Sequence, residues 1–284
     1  MKRYRELVNE AAKSFAELGI EEAENDAKEL MMFLMNWDYT HYTMCIDDES
    51  TKEAVDKYAE LVAKRKTRLP VQLIIGEAPF YGRQFKVTRD TLIPRFDTEI
   101  LVEEVISYIK KKYPSGEARV LDMCTGTGCI AITIDQEVAT KKVVAADISE
   151  KALEVARENA RKNGSRAELI RTDLFEGINE EFDVLVSNPP YIPTKVIDTL
   201  QPEVKNNDPH LALDGGEDGL DIYRRIIQGI NSKNVLSAGG AVFFEIGYDQ
   251  GEAVSGLLEK AGFSKVRVIK DLAGLDRAVA AEKI

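Results

Sequence analysis

Histidine is almost missing from this chain: only His41 and His210 occur among its 284 residues. Two histidines so far apart suggest no metal cluster, and catalysis is expected to proceed without histidine and without a metal ion. Cysteine is equally sparse. Cys45, Cys124 and Cys129 form an odd set with no C-x-x-C pair, which supports neither a disulfide framework nor a zinc site. No apolar run approaches the roughly 18 residues that span a bilayer. The N-terminus, MKRYRELVNEAAKSF, is amphipathic and contains acids, unlike a targeting segment. A cytoplasmic protein with no membrane contact is the expectation. An excess of positive charge is lacking too: 38 basic against 49 acidic side chains leave a net charge of -11. Proteins that grip duplex nucleic acid usually show the opposite balance, so direct DNA binding is not expected. The basic run KRKTR, Lys64–Arg68, reads as solvated cations opposing a helix dipole.

What is present is an ordinary globular composition, 44% hydrophobic and 31% charged, over a length that suits two domains. Leu7, Ala11, Phe15 and Leu18 recur at helical spacing before Gly19, and Ala23, Ala27, Leu30, Met31 and Leu34 form a second stripe. Ser50 and Glu53 read as a capping box ahead of a third, carrying Ala54, Tyr58, Leu61 and Val62. Residues 1–70 are therefore expected to form a small helical domain. Between 71 and 92, Gly and Pro punctuate apolar and aromatic runs, as in short strands or a hairpin connection.

From 93 to 284 strand and helix signals alternate. ARVLDM, KVVAAD, AELIRTD, FDVLVS and GGAVFFEIG read as strands separated by helices, and KVRVIK with DRAVAAEK as a terminal antiparallel hairpin. This is the pattern of an α/β protein with a mostly parallel, Rossmann-like sheet, whose sites lie at the strand C-terminal ends.

Two of those ends carry chemistry. VLDMCTGTGCIAI places the turn Gly126-Thr127-Gly128 between a strand and a helix, where backbone can approach a ligand closely. Asp147 ends the next strand, about 20 residues later, where a carboxylate can accept both ribose hydroxyls. Asp173 ends the third strand, placed to accept from an adenine amine. Asp122 ahead of the turn, with Ala131 where a dinucleotide site has its third glycine, fits a cationic cofactor, S-adenosylmethionine, better than a pyrophosphate.

The fourth strand runs into Asn188-Pro189-Pro190-Tyr191. Prolines stiffen this turn before any substrate arrives. If a planar amide or amine nitrogen is the methyl acceptor, the Asn188 oxygen and the Pro189 carbonyl can accept its two hydrogens, and Tyr191 can cover one face. No strong base is needed, because the nitrogen becomes cationic only as the methyl arrives.

The chain resembles the HemK/PrmC family, the peptide chain release factor glutamine methyltransferases, in TLIPRFDTEILVE, LDMCTGTGCIAI, SNPPYIP, LALDGGEDGLDIYRRI, FEIGYDQGEAV and DLAGLDR, in the family's order from about Pro70 onward. The resemblance implies a class I methyltransferase fold and transfer of a methyl group to the glutamine amide nitrogen of the Gly-Gly-Gln loop in class 1 release factors. It implies cofactor contacts at Cys124, Thr125, Gly126, Thr127, Gly128, Asp147, Asp173, Leu174 and Asn188, and glutamine held by Asn188, Pro189, Pro190 and Tyr191. S-adenosylhomocysteine would be the product, the N-terminal domain would grasp the release factor, and the enzyme would act as a monomer. Cys124 stands where glycine is common, Phe96 where proline is frequent, and Leu174 where an aromatic is frequent. A sister group acting on a ribosomal-protein glutamine tends to carry LASGxDGL where this chain has LALDGGEDGL. A DNA adenine methyltransferase would need a basic recognition region that is lacking here.

Overall fold

The structure, a computed structural model, describes residues 2–284 and divides into two compact units. The smaller takes the chain up to Glu77 together with Gln201–Asn207, and the larger takes 78–200 and 208–284. The division falls after Glu77, inside the 71–92 stretch.

In the smaller unit α1 (Tyr4–Glu17), α2 (Ala23–Met35), α3 (Tyr39–Cys45), α4 (Lys52–Lys66) and α5 (Val71–Ile75) follow one another. Leu7, Ala11, Phe15, Ala27, Leu30, Met31 and Tyr58 are buried together, and the Tyr58 hydroxyl donates to the Ala27 carbonyl at 2.8 Å. Three expectations need correction. Leu18 is exposed because α1 ends one residue before it. The cap of α4 is Thr51, whose hydroxyl accepts from Ala54 N, because the Ser50 hydroxyl is drawn off to donate to the Lys2 carbonyl. Val71–Ile75 is a helical turn, not a strand.

The basic run is not wholly solvated either. Arg65 is only 4% exposed and pairs with Asp26 at 2.6 Å and Glu203 at 3.0 Å. Arg68 pairs with the other Glu203 oxygen at 2.7 Å. A buried guanidinium needs such partners, since its desolvation is otherwise uncompensated.

The larger unit opens with β1 (Glu77–Phe80), from Ala78 onward, and β2 (Arg83–Lys86), which pair as a two-stranded sheet. After it come α6 (Asp97–Lys112), β3 (Arg119–Met123), α7 (Cys129–Glu137), β4 (Lys142–Asp147), α8 (Glu150–Lys162), β5 (Glu168–Arg171) and β6 (Phe182–Ser187). Three short helices follow: α9 (Thr194–Ile197), α10 (Pro202–Lys205, in the smaller unit) and α11 (His210–Leu213). The chain ends with α12 (Asp221–Lys233), β7 (Leu236–Glu245), α13 (Gly251–Lys260), β8 (Phe263–Lys270) and β9 (Asp276–Lys283).

One seven-stranded sheet has the order β5-β4-β3-β6-β7-β9-β8, parallel as far as β7 and antiparallel in the last two strands. Alternate residues feed two cores. Val120, Val184 and Val186 meet α6 and α7, while Leu121, Leu185 and Val242 meet Tyr223, Ile226 and Ile230 of α12 and Val254 and Leu258 of α13. Burial on both faces explains the near-continuous apolar runs in these strands. Strand order reverses between β3 and β6, and at such a switch point the loops diverge and leave a crevice.

Candidate functional site

Register sets the site. Met123 pairs with Ala146 on one side and with Ser187 on the other, so the turns after β3, β4 and β6 emerge side by side. The Ser187 hydroxyl ties the strands further, donating to the Met123 carbonyl at 2.6 Å.

The glycine turn is held from three directions. Thr125 N donates to the Ala146 carbonyl at 3.0 Å, Gly128 N to the Thr125 carbonyl at 2.8 Å, and Gly126 N to Asp147 Oδ2 at 2.9 Å. Beneath it lies Asp122, fully buried, whose Oδ2 accepts from the Thr125 hydroxyl and, at 3.2 Å, from Ala131 N. Burial pushes its carboxyl up to about 7. Asp122 was expected to answer a cationic cofactor; instead it staples the loop and does not line the crevice. Cys124, in the glycine-like place, sits at φ 64° and carries the strain of a left-handed backbone.

Asp147 lines the crevice with both carboxylate oxygens anchored, Oδ2 by Gly126 N and Oδ1 by Ser149 N, each at 2.9 Å. Burial raises its pKa, and these backbone bonds pull it back. Each oxygen keeps a lone pair for a further donor. Asp173 also lines the crevice, but Arg225 of α12 engages its two oxygens at 2.8 and 2.9 Å. Nothing local to Asp173 announced Arg225, which lies 52 residues away. Leu174 adds an apolar wall, at φ 50°.

Asn188 and Pro190 line the same crevice; Pro189 and Tyr191 are not among its walls. Pro189 is buried, and the half-buried Tyr191 ring packs against the second core, with its phenol pKa raised first by burial. The turn is braced by the LALDGG stretch. Ile192 N donates to the Leu213 carbonyl, Gly215 N to the Ile192 carbonyl and Thr194 N to the Gly216 carbonyl, all at 2.9 Å. Gly215 and Gly219 abut it so closely that a Cβ on either would collide with Tyr191 backbone, and Gly219 has φ 78° besides. Gln250 completes the brace, Nε2 donating to the Tyr191 carbonyl at 2.9 Å and to the Gly219 carbonyl at 3.3 Å.

Behind Asn188 stand Thr98 and Glu245, both nearly inaccessible. Asn188 Nδ2 lies 3.5 Å from the Thr98 hydroxyl oxygen. Neither residue was singled out from the sequence, although the carboxyl that ends the apolar run AVFFE is a signal available there.

The description PrmC N-terminal domain matches residues 6–76, and Methyltransferase small domain matches residues 98–216. A Cereibacter sphaeroides protein named Release factor glutamine methyltransferase is 43% identical over 98% of this chain and 98% of its own. The protein of that name from Agrobacterium fabrum is 39% identical over 95% of this chain and 93% of its own. Among solved structures, the 16S rRNA N2 G1207 methyltransferase RsmC of T. Thermophilus, in complex with AdoMet and guanosine, matches with a TM-score of 0.51. That match covers 73% of this chain and 50% of that one at 16% identity, a likeness of fold alone. With identity of this extent to proteins spanning both units, the chain belongs to the release factor glutamine methyltransferase family.

Proposed function

We propose that this chain transfers the methyl group of S-adenosylmethionine to the side-chain amide nitrogen of the Gly-Gly-Gln glutamine in class 1 release factors, leaving S-adenosylhomocysteine. The observation that carries the reading is the Asn188-Pro189 turn, placed beside the glycine turn by the pairing of Ser187 with Met123. The crevice fits the cofactor: Asp147 has lone pairs left for a ribose diol, and Ile130, Ile148 and Leu174 offer apolar walls to a base. Asp173, fixed by Arg225, is the acceptor for an adenine amine, and the Cys124–Gly128 backbone borders the remainder.

When bound, S-adenosylmethionine supplies an electrophilic methyl on a sulfonium. The Asn188 oxygen and the Pro189 carbonyl accept the two hydrogens of the glutamine amide and aim its nitrogen, so attack loses little orientational freedom. As the N–C bond forms, positive charge builds on that nitrogen, and these two dipoles favour it more than they favour the neutral amide. One amide proton then leaves to water. Pro190 keeps the turn stiff, and Tyr191, packed beneath it, steadies the turn from the core side. The helical unit recognises the release factor, the enzyme works as a monomer without metal, and DNA is not an acceptor.

Incubation with labelled S-adenosylmethionine and separate acceptors tests this. Label is expected on the release factor glutamine and on neither the large-subunit ribosomal proteins nor duplex DNA. Label on a ribosomal protein alone overturns the assignment.

A further inference from the structure

Asn188 can serve an incoming amide only if its oxygen, not its nitrogen, faces the crevice. A side-chain amide is nearly symmetric in shape, so something must decide between its two orientations. Among the described residues, Nδ2 reaches the Thr98 hydroxyl at 3.5 Å, too long to satisfy a donor well. The pairing of Ser187 with Phe244 brings Glu245, the next residue of β7, alongside Asn188. Glu245 is 2% exposed, does not line the crevice, and its Oε2 has no hydrogen-bond partner among the described residues. An underused donor therefore neighbours an unused acceptor.

We propose that Glu245 is a positioning residue for Asn188: its buried carboxylate, which can only accept, draws in the Asn188 NH2 and so turns the Asn188 oxygen toward the substrate amide. Thr98 completes the support from α6. Its hydroxyl has one hydrogen to give and faces the same carboxyl.

The surroundings leave the Glu245 charge partly uncompensated. Arg277 of β9 is the cation that acts on it, but its Nη2 is shared between Asp97 and Asp271 at 3.1 Å each. Asp97 on α6, Tyr191 beyond β6, Tyr223 on α12 and Cys129 on α7 are the other titratable groups that face it. Burial pushes the Glu245 carboxyl up to about 7, with Thr98, Arg277 and Asn188 pulling it back and Asp97 adding to the rise. Below that pH the protonated acid can itself donate to the Asn188 oxygen and hold it away from the substrate. Above it, only the productive orientation is supported.

The role rests on methyl transfer to a glutamine amide. Single-turnover rates with saturating S-adenosylmethionine and a Gly-Gly-Gln release factor, from pH 6 to pH 8.5, test it on wild type and Glu245→Gln. The wild-type rate is expected to rise through about pH 7. Glu245→Gln, which can offer either an acceptor or a donor, is expected to be about tenfold to a hundredfold slower at high pH, with a flat profile. Cofactor affinity by calorimetry should stay within a few-fold, because Glu245 does not line the crevice. A wild-type profile flat across this range overturns the proposal whatever the variant does, and so does a variant matching wild type in rate and profile. If wild type methylates no release factor at all, it is the assigned function that fails.

Discussion

Buried charge is handled differently in the two units. In the helical unit the carboxylates of Asp26 and Glu203 are ion-paired with Arg65 and Arg68, although Arg65 Nη1 and Arg68 Nε find no partner among the described residues. Burial works to raise the Glu203 pKa, yet the bonds from its own backbone, Arg68 and Arg65 leave it below the usual range. At the strand ends Asp122 and Glu245 have no such pairing: each leaves one oxygen without a hydrogen-bond partner among the described residues, and burial drives each up to about 7. Arginine pairing holds Glu203 below the usual range and pulls Asp26 back from the rise that burial imposes, whereas the second arrangement, with no cation bonded to its carboxyls, sits near a change in protonation at neutral pH. Carboxyls perturbed in this way cluster at functional sites.

The largest effect should come from breaking these ion pairs. Arg65→Ala strands the Asp26 carboxylate and is expected to cost the helical unit about 3–5 kcal/mol. Trp37, the single tryptophan, belongs to this unit and stacks edge-on against Tyr4 at 5.1 Å, so its fluorescence in denaturant reports that unit. A change below about 1 kcal/mol would mean that Asp26 simply takes up a proton, and the contrast between the units would collapse.

At the poised site the effect belongs to rate instead of stability. Asn188→Ala is expected to slow methyl transfer by about a hundredfold, comparable to removing one transition-state hydrogen-bonding group. Cofactor affinity should change only a few-fold. Near wild-type turnover with saturating cofactor would reduce the turn to a structural feature.

Asp122 sharpens the same contrast through pH. Its folded pKa lies above the ordinary value of about 3.9, so the folded state holds the proton more tightly. Stability from this group is complete below about pH 4 and is lost as pH rises through about 7. Asp122→Asn mimics the neutral acid and keeps an oxygen for Thr125 and Ala131. Melting temperatures should match wild type near pH 4 and exceed it at pH 8. A variant that is less stable than wild type at both values would show that Asp122 is needed as a carboxyl.

The smallest effect concerns Cys124. Its left-handed backbone costs on the order of 1–3 kcal/mol, and Cys124→Gly relieves this while adding back about 0.5–1 kcal/mol of chain entropy. A net stability change within about 1 kcal/mol is expected in a thermal melt. A loss well beyond that would assign the thiol a packing role that outweighs the strain.

Much of the site was readable because its pieces are local. A glycine turn between strand and helix, a carboxylate at the next strand end and a proline-stiffened Asn all announce themselves within a few residues. Thr51 was missed in favour of Ser50 because only Ser50 has a Glu three residues on, and a bond to Lys2, 48 residues away, draws the Ser50 hydroxyl off. Arg65 was missed as a buried residue because its partners lie 39 and 138 positions off.

The sequence by itself determined the alternation of strands and helices, the placing of turns at strand ends and the chemistry each turn carries, since these depend on backbone preferences and side-chain types over short spans. Only the tertiary structure decided that Asp122 faces inward as a staple, that Arg225 clamps Asp173 and that Thr98 and Glu245 stand behind Asn188. Those outcomes depend on strand order and parallel register. The register pairs Ser187 with Phe244 across a separation that no local preference spans, and the burial it imposes sets the protonation of the carboxyls.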